Sequence, residues 1–363
     1  FSSIVNMANR NNGRTGMGLG MASKNLKTIV VRGTEKVKVA DQKTLTELAK
    51  WGVANIPLNP DMDGIAKYGT ASVVMPQNSL GTFPTRNYSE AWFDGAEPLS
   101  GETMADTILK KRDTCFSCAV RCKRVVEAEK DGYKVDPVYG GPEYETIGTF
   151  GSYCGVDDLE AISYANQICN EYGVDTISCG ATIAFAMECY EKGWITLQDT
   201  GGIELTWGNG AAIKLVLEQM IARQGFGAWL ADGVRQAAET LPPEAQQAAI
   251  HAGGQEIGYH DPRLDPGYAL HASVEPTPGR HTTGSQLYYE LFRLWTRVPG
   301  LPPSPLVYSK ASRYDPGAER TVSAVATSSF TQFYNAVGAC YFGMLIGVDR
   351  VPIFEWANAA TGW

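Results

Sequence analysis

Residues 157–193 read DDLEAISYANQICNEYGVDTISCGATIAFAMECYEKG, and this stretch predicts two consecutive helices. The first helix has a capping box at Asp157 and should end just before Gly173, which suits the left-handed conformation that follows many helix ends. The second helix, from Asp175 to about Lys192, is apolar nearly all round, so it should be buried in a core. The chain is therefore built around helices in this region.

The same signals extend outward along the chain. Apolar periodicity predicts further helices over 209–224, 228–240 and 317–337. Thr28-Ile-Val-Val-Arg32 is β-branched and predicts a short strand. Residues 252–306 are rich in Gly, Pro and His and predict structured loops.

The composition is that of a globular protein of roughly two or three domains, with 363 residues, 44% of them hydrophobic and 19% charged. A net charge of −8 argues against a general nucleic-acid-binding protein. The most apolar stretch, Cys179–Met187, is about half of what a membrane span needs, and no secretory signal follows Phe1. We expect a cytoplasmic protein without a membrane segment, and we interpret the missing initiator Met as the sign of a fragment.

Three cysteines in the spacing C-x2-C-x3-C, at Cys115, Cys118 and Cys122, predict an iron–sulfur site. Such clusters usually take four thiolates, the last often distant in the sequence. Zinc is the main alternative, although its paired CxxC halves are absent from the sequence, and three unrelated buried thiols are another. The candidates for a fourth ligand are Cys154, Cys169, Cys179, Cys189 and Cys340. Spacing alone does not decide among these candidates. It favours only modestly Cys340, which follows a helix-ending glycine.

Two segments share the pattern Asn-x-x-Gly-apolar-(Asp or Cys): residues 170–175 and residues 335–340. Both lie at predicted helix ends. The similarity is compatible with chance, because Gly ends many helices, and with a common binding role.

Beyond these features, several motifs resemble the tungsten-containing aldehyde:ferredoxin oxidoreductase family. They are Gly13-Arg-Thr-Gly-Met-Gly18, Ser23-Lys-Asn-Leu-Lys-Thr-Ile-Val-Val-Arg-Gly33, Gly141-Pro-Glu-Tyr-Glu-Thr146, Gly173-Val-Asp-Thr-Ile-Ser178 and the cysteine motif. The resemblance is strongest over 12–35 and 113–193. It implies an α+β fold made of the mostly α-helical domains 2 and 3 of that family, with a remnant of the N-terminal β-rich pterin-binding domain.

The resemblance also implies domain boundaries. Residues 1–40 would be the remnant of the N-terminal domain. Residues 41–250 would form a helical domain with the cysteine motif, and residues 251–363 a second, C-terminally truncated helical domain.

The resemblance further implies the cofactors and their ligands. A [4Fe–4S] cluster would be held by Cys115, Cys118, Cys122 and Cys340. A tungsten ion would be held by two pterins, and a magnesium ion bridging the pterin phosphates is compatible with the family. The residues that would contact the pterins are Arg14, Gly16, Gly18, Lys24, Asn170, Gly173, Val174, Asp175, Asn335, Gly338 and Ala339.

The reaction implied is oxidation of an aldehyde with water to a carboxylic acid, with two electrons passed to ferredoxin. Glu145 would be the general base, with a pKa raised by an apolar pocket, and His281 would polarise the carbonyl or relay the proton. A loop carboxylate and a structural His are the plainer interpretations of these two residues. The alternative functions are another low-potential reaction on the same cofactors, such as aryl-CoA reduction, and a non-catalytic iron–sulfur electron carrier. A homodimer is also considered, and the sequence leaves open which aldehyde is used and whether the metal is tungsten or molybdenum.

Overall fold

The computed structural model describes the whole chain except residues 131, 264–265, 275–276, 278, 283–288, 290–291, 304–313 and 315–316. The α-helices are α1 Met17–Ala22, α2 Gln42–Asn55, α3 Pro60–Tyr68, α4 Val74–Ser79, α5 Gly101–Thr107, α6 Tyr144–Phe150, α7 Leu159–Tyr172, α8 Thr176–Glu191, α9 Gly210–Ala222, α10 Gly225–Leu230, α11 Val234–Glu239, α12 Pro243–Gln247, α13 Pro266–Val274, α14 Leu294–Arg297, α15 Ala318–Ala336 and α16 Ile353–Thr361. Three antiparallel strand pairs accompany them: β1 Val5–Asn6 with β2 Arg10–Asn11, β3 Leu109–Asp113 with β4 Lys123–Val126, and β5 Ala128–Lys130 with β6 Tyr133–Val135.

The two central helices, α7 and α8, confirm the prediction from residues 157–193. The cap of α7 is Asp158 rather than Asp157, because the Asp158 carboxylate accepts the N–H groups of Glu160 at 2.9 Å and Ala161 at 3.0 Å. Gly173 ends α7 in the left-handed region, with φ 67°. The turn between the helices is therefore fixed at both sides by local chemistry.

The largest buried core surrounds α6, α7 and α8. Helix α8 is buried along most of its length, as its apolar sequence predicts. It approaches α6 so closely that a Cβ on Gly180 would lie 2.8 Å from the backbone carbon of Thr149. This contact fixes α6, and with it the carboxylates at its N-terminal end.

Two predicted elements are wrong. The single helix predicted over 228–240 is two short helices, because Gly233 takes φ 97°, which a helix cannot contain. The strand predicted over 28–32 makes no strand pairing with any described residue, and Ile29 and Val30 are 69% and 86% exposed. A β-branched run without a partner strand has no ladder hydrogen bonds to hold it.

The predicted long helix over 317–337 is confirmed as α15, whereas α2 and α3 were missed. Helix α2 packs against α16, where the Asp41 N–H donates to the Ala359 carbonyl at 2.8 Å and the rings of Trp51 and Trp356 lie 6.4 Å apart. The start of the predicted second domain thus contacts the end of the predicted third, and the boundaries at 40 and 250 stay predictions.

Among the described residues, no helix combines the length and the apolar character that crossing a bilayer requires.

Candidate active site

The cysteine motif lies in the loop that joins β3 to β4. The loop turns tightly: Ser117 and Arg121 have positive φ values of 54° and 57°. Cys118 N–H donates to the Cys115 carbonyl at 3.2 Å, and Thr114 Oγ1 donates to the Cys118 carbonyl at 2.5 Å. These bonds hold the loop that carries the three thiols of the motif in a compact turn.

The distant Cys340 joins this group from the turn after α15. Leu345, in the segment 341–345 that follows it, belongs to an apolar cluster against which Cys118 and Cys122 also pack. Burial and the nearby Glu143 carboxylate raise the pKa of the Cys122 thiol to about 12. Lys123 opposes this shift, and Cys340 and Cys115 add to it. All eight cysteines are free thiols.

Cys115 and Cys340 are thus near enough to Cys122 to raise its pKa, and Cys115 and Cys118 raise the pKa of Cys340, so the four thiols lie in one region of the structure. The other four cysteines are buried in the large helical core, where they serve as small apolar side chains.

A partly buried ion pair lies beside the thiols. Lys123 Nζ is 2.5 Å from Glu143 Oε1, and Thr70 Oγ1 donates to Glu143 Oε2 at 2.6 Å. Burial disfavours charge on Glu143, but Lys123 outweighs it and the pKa of Glu143 is lowered. The pair therefore places fixed charges between the thiols and the next carboxylate on α6.

That next carboxylate, Glu145, lies in the first turn of α6 and is 14% exposed. Its Oε2 accepts the backbone N–H of Tyr259 at 2.7 Å. Its Oε1 lies 3.2 Å from His260 Nε2 and 3.6 Å from His281 Nδ1. The structure thus brings together Glu145 and His281, which the sequence proposed as partners, and adds His260 between them.

The pKa expected for Glu145 is wrong in direction. Burial does disfavour its charged form, but His281, the close contact with His260 and the Tyr259 N–H together lower the pKa of Glu145 to about 2. Burial lowers the pKa of His281 to about 4, against the attraction of Glu145. At neutral pH the carboxylate is ionised and His281 is neutral.

The glycine-rich segment near the N-terminus reaches this region through Arg14. Its Nε donates to Asp175 Oδ2 at 2.7 Å, and its Nη2 donates to Ser178 Oγ at 3.1 Å and to the Glu256 carbonyl at 2.7 Å. Arg14 Nη1 is buried and has no hydrogen-bond partner among the described residues. The described residues therefore leave one Arg14 donor unsatisfied.

The neighbouring residues of this segment connect two other parts of the site. Arg10 Nη2 donates to Asp113 Oδ2 at 3.0 Å and to the Thr114 carbonyl at 3.1 Å, beside the thiol loop. Asn11 Nδ2 donates to Asn170 Oδ1 at 3.0 Å, at the end of α7.

The two matched segments have the same backbone geometry. Val174 N–H bonds to the carbonyl five residues back, at 2.9 Å, and Ala339 N–H does so at 3.0 Å. Gly173 and Gly338 are left-handed, with φ 67° and 69°. Both segments are thus Schellman-type helix ends, which accounts for the shared glycine. Asn335, by contrast with Asn170, is exposed.

The remaining predicted pterin contacts lie near α1. Gly16 precedes the helix with φ 70°, and Lys24 is exposed just after it. Gly18 is buried, and a Cβ there would lie 2.5 Å from the Ser3 carbonyl oxygen. Close backbone packing therefore requires this glycine independently of any ligand.

A cavity of about 210 Å³ opens between these elements. The residues that line it include Arg10, Asn11, Lys123, Glu143, Glu145 and Asn170. Its cationic and amide groups fit an anionic ligand that is rich in hydrogen-bonding groups.

Sequence reasoning missed Arg10, His260 and the backbone of Tyr259. His260 stands directly before Asp261-Pro-Arg263, in which Arg263 Nη2 pairs with Asp261 Oδ2 at 2.7 Å. That ion pair is the local signal that this loop is fixed in place.

Comparison with known proteins adds the family. A family model described as aldehyde ferredoxin oxidoreductase, domains 2 and 3, matches residues 47–363. The tungsten-containing aldehyde ferredoxin oxidoreductase of Pyrococcus abyssi is 33% identical over the whole chain, and that of Thermococcus kodakarensis is 32% identical. The chain spans 57% of the length of each. The aliphatic sulfonate oxidoreductase WOR-like subunit of Pyrococcus furiosus is 27% identical over 79% of the chain and 46% of that subunit.

Among solved structures, the active-site complex BamBC of benzoyl-coenzyme A reductase with 1,5-dienoyl-CoA has the same fold. The TM-score is 0.68 at 18% identity, covering 97% of this chain and 58% of the other.

Proposed function

This chain belongs to the aldehyde ferredoxin oxidoreductase family, and we propose that it carries the catalytic helical part of an enzyme that oxidises an aldehyde with water to a carboxylic acid. Two electrons would leave through a [4Fe–4S] cluster to ferredoxin. The observation that carries the proposal is the ionised Glu145, which lines a cavity together with Arg10 and Lys123.

Within this proposal, Cys115, Cys118, Cys122 and Cys340 would hold the cluster. Arg10, Arg14 and Lys123 would contact the pterin part of a tungsten bis-pterin, with Asn170 and Asp175 positioning Asn11 and Arg14. When bound, the tungsten group supplies an acceptor for two electrons.

Glu145 has the protonation state that a base needs. Its Oε2 is held by the Tyr259 N–H, so Oε1 is the atom left to accept a proton from water. A pKa of about 2 makes a weak base, and the driving force for the transfer would be small unless the proton moves on. His281 Nδ1, neutral and 3.6 Å away, is placed to take the proton from Oε1.

The companion residue His260 would position Glu145 rather than react. Its ring stacks on His281 with centroids 5.0 Å apart, and its Nε2 contacts Glu145 Oε1. Both contacts restrict the direction in which the carboxylate can turn.

The test is anaerobic purification followed by metal analysis and turnover. We expect tungsten together with about four iron atoms per chain and aldehyde-dependent reduction of ferredoxin or a viologen. Glu145→Gln should lower kcat about 100-fold or more with tungsten and iron retained. Glu127→Gln, in an exposed ion pair with Lys110, is the matched control and should leave turnover unchanged.

Iron without tungsten would support the electron-carrier alternative instead. Reduction of an aryl-CoA thioester without any aldehyde activity would support the other reaction on the same cofactors. An unchanged kcat in Glu145→Gln would remove this residue from the mechanism.

A further inference from the structure

We infer that Tyr88 is a positioning residue for Glu145, because its hydroxyl donates to the carbonyl of the same peptide group whose N–H holds the Glu145 carboxylate. The effect of Tyr88 on turnover rests on the proposed function of Glu145. Its effect on the peptide group does not.

This peptide group, between Gly258 and Tyr259, is bound at both ends. Tyr88 Oη donates to the Gly258 carbonyl at 2.7 Å, and the Tyr259 N–H donates to Glu145 Oε2 at 2.7 Å. Hydrogen bonds in such a chain polarise one another, so a donor on the carbonyl makes the N–H a stronger donor. The Tyr88 hydroxyl therefore both orients this N–H and strengthens its bond to the carboxylate.

The other bonds of the turn come from residues next to it or next to Glu145. The His260 N–H donates to the Gly258 carbonyl at 2.8 Å, which closes a tight turn centred on Tyr259. Tyr144 Oη, from the residue before Glu145, donates to the Tyr259 carbonyl at 3.1 Å. Tyr88 comes from a separate segment, 170 positions before Gly258 in the sequence, and ties the turn to a second part of the fold.

A strained backbone aims Tyr88 at the turn. Arg86, Asn87 and Tyr88 have φ values of 44°, 51° and 62°, in the left-handed region that side-chain-bearing residues rarely adopt. The surrounding structure holds this conformation: the Arg86 N–H donates to the Ser152 carbonyl at 3.0 Å, and the Asn87 N–H donates to the Tyr153 carbonyl at 3.2 Å. Strain of this kind persists where the surroundings enforce it, and it concentrates at functional sites.

The environment of Tyr88 keeps its hydroxyl a donor. Burial raises the pKa of Tyr88 well above its ordinary value, and the nearby Tyr268 and Tyr153 side chains add to the shift. The hydroxyl therefore stays protonated. The ring packs edge-on against Tyr153, with centroids 5.1 Å apart. Tyr88→Phe would retain this packing and remove only the hydroxyl.

The experiment compares Tyr88→Phe with the wild type, both as purified, cofactor-loaded protein, by hydrogen exchange read by mass spectrometry on peptides that contain residue 259. We expect the Tyr259 N–H to exchange about 5-fold faster in the variant, which corresponds to the loss of one net hydrogen bond. With an aldehyde as substrate, kcat should fall about 10-fold while KM stays within about 2-fold, because Glu145 is less well oriented.

Tyr164→Phe is the matched control. It also removes one tyrosine hydroxyl, which donates to Glu218 Oε1 at 2.9 Å outside the site. Exchange at residue 259 and kcat should both equal those of the wild type in this variant.

Unchanged exchange of the Tyr259 N–H in Tyr88→Phe would overturn the inference. Exchange that speeds up equally in peptides from α6 and α8 would do the same, because it would show general loosening. Exchange is read without turnover, so these results stand whether or not an aldehyde is oxidised. In a protein that does oxidise aldehydes, a raised KM with an unchanged kcat would show that Tyr88 acts on substrate binding and would overturn its role toward Glu145.

Discussion

The substitution Gly148→Ala, which adds one methyl group, should disrupt the site around Glu145. Gly148 lies in α6, three residues after Glu145, and faces the ring of Tyr259. A Cβ there would lie 2.6 Å from Tyr259 Cγ and closer still to Cδ1 and Cε1. Carbon atoms in contact normally lie about 3.5–4.0 Å apart, so the ring would have to move by about 1 Å or more.

The Tyr259 ring has no free space into which it could move. It is 1% exposed and packs against Phe83 and Tyr153, with ring centroids 5.5 Å and 5.8 Å away. Overpacking of this kind costs about 1–3 kcal/mol, and the depth of the overlap places this case near 3 kcal/mol. Alanine gains about 1 kcal/mol over glycine in a helix. The net expectation for Gly148→Ala is a loss of about 2 kcal/mol in the free energy of unfolding.

The assay is thermal unfolding, in which Gly148→Ala should lower Tm by about 3 °C. Glu145 is held by the Tyr259 N–H, so turnover should fall as well. Gly64→Ala in α3 is the matched control, because the Cβ would meet only Ser72 Cβ at 4.0 Å, and its Tm should stay level or rise. A Tm for Gly148→Ala equal to that of Gly64→Ala would refute the steric argument.

Three further outcomes are expected. Cys118→Ser should lose iron and visible absorbance in metal analysis and spectroscopy, whereas Cys189→Ser, in the apolar core, should keep both. Arg14→Gln should cost about 3 kcal/mol in denaturation, because it leaves Asp175 buried without its charge partner, whereas Arg223→Gln, in an exposed pair, should cost under about 1 kcal/mol. Glu143→Gln should lower stability by about 1 kcal/mol, since the Lys123–Glu143 ion pair is only partly buried. An Arg14→Gln loss no larger than that of Arg223→Gln, or a Glu143→Gln protein as stable as wild type, would contradict the burial argument.

The sequence predicted well what local chemistry determines. The end of α7 follows from Gly173 and the start of α8 from Asp175. Both residues act through bonds to residues a few positions away. The break at Gly233 was missed because apolar periodicity continues through it, while its φ depends on contacts with Glu256. Local signals therefore placed helices better than they placed helix breaks.

The site was harder to predict because its energetics are set by distant residues. The motif around Glu145 pointed to a carboxylate, but the direction of its pKa depends on Tyr259, His260 and His281, more than 100 positions away. Likewise, the strand predicted over 28–32 required a partner that the described residues do not provide. Long-range pairing, whether of strands or of charges, is the information that a local pattern lacks.

The short segment from Arg10 to Arg14 has a consequence for protein engineering. It bonds to Thr114 beside the thiols, to Asn170 at the end of α7 and to Asp175 at the start of α8. A minimal peptide cut from the β3–β4 hairpin would carry three of the four cysteines but none of this bracing. Anyone transplanting the thiol loop into another scaffold would need to carry this segment along, or design a substitute that fixes the same three anchor points.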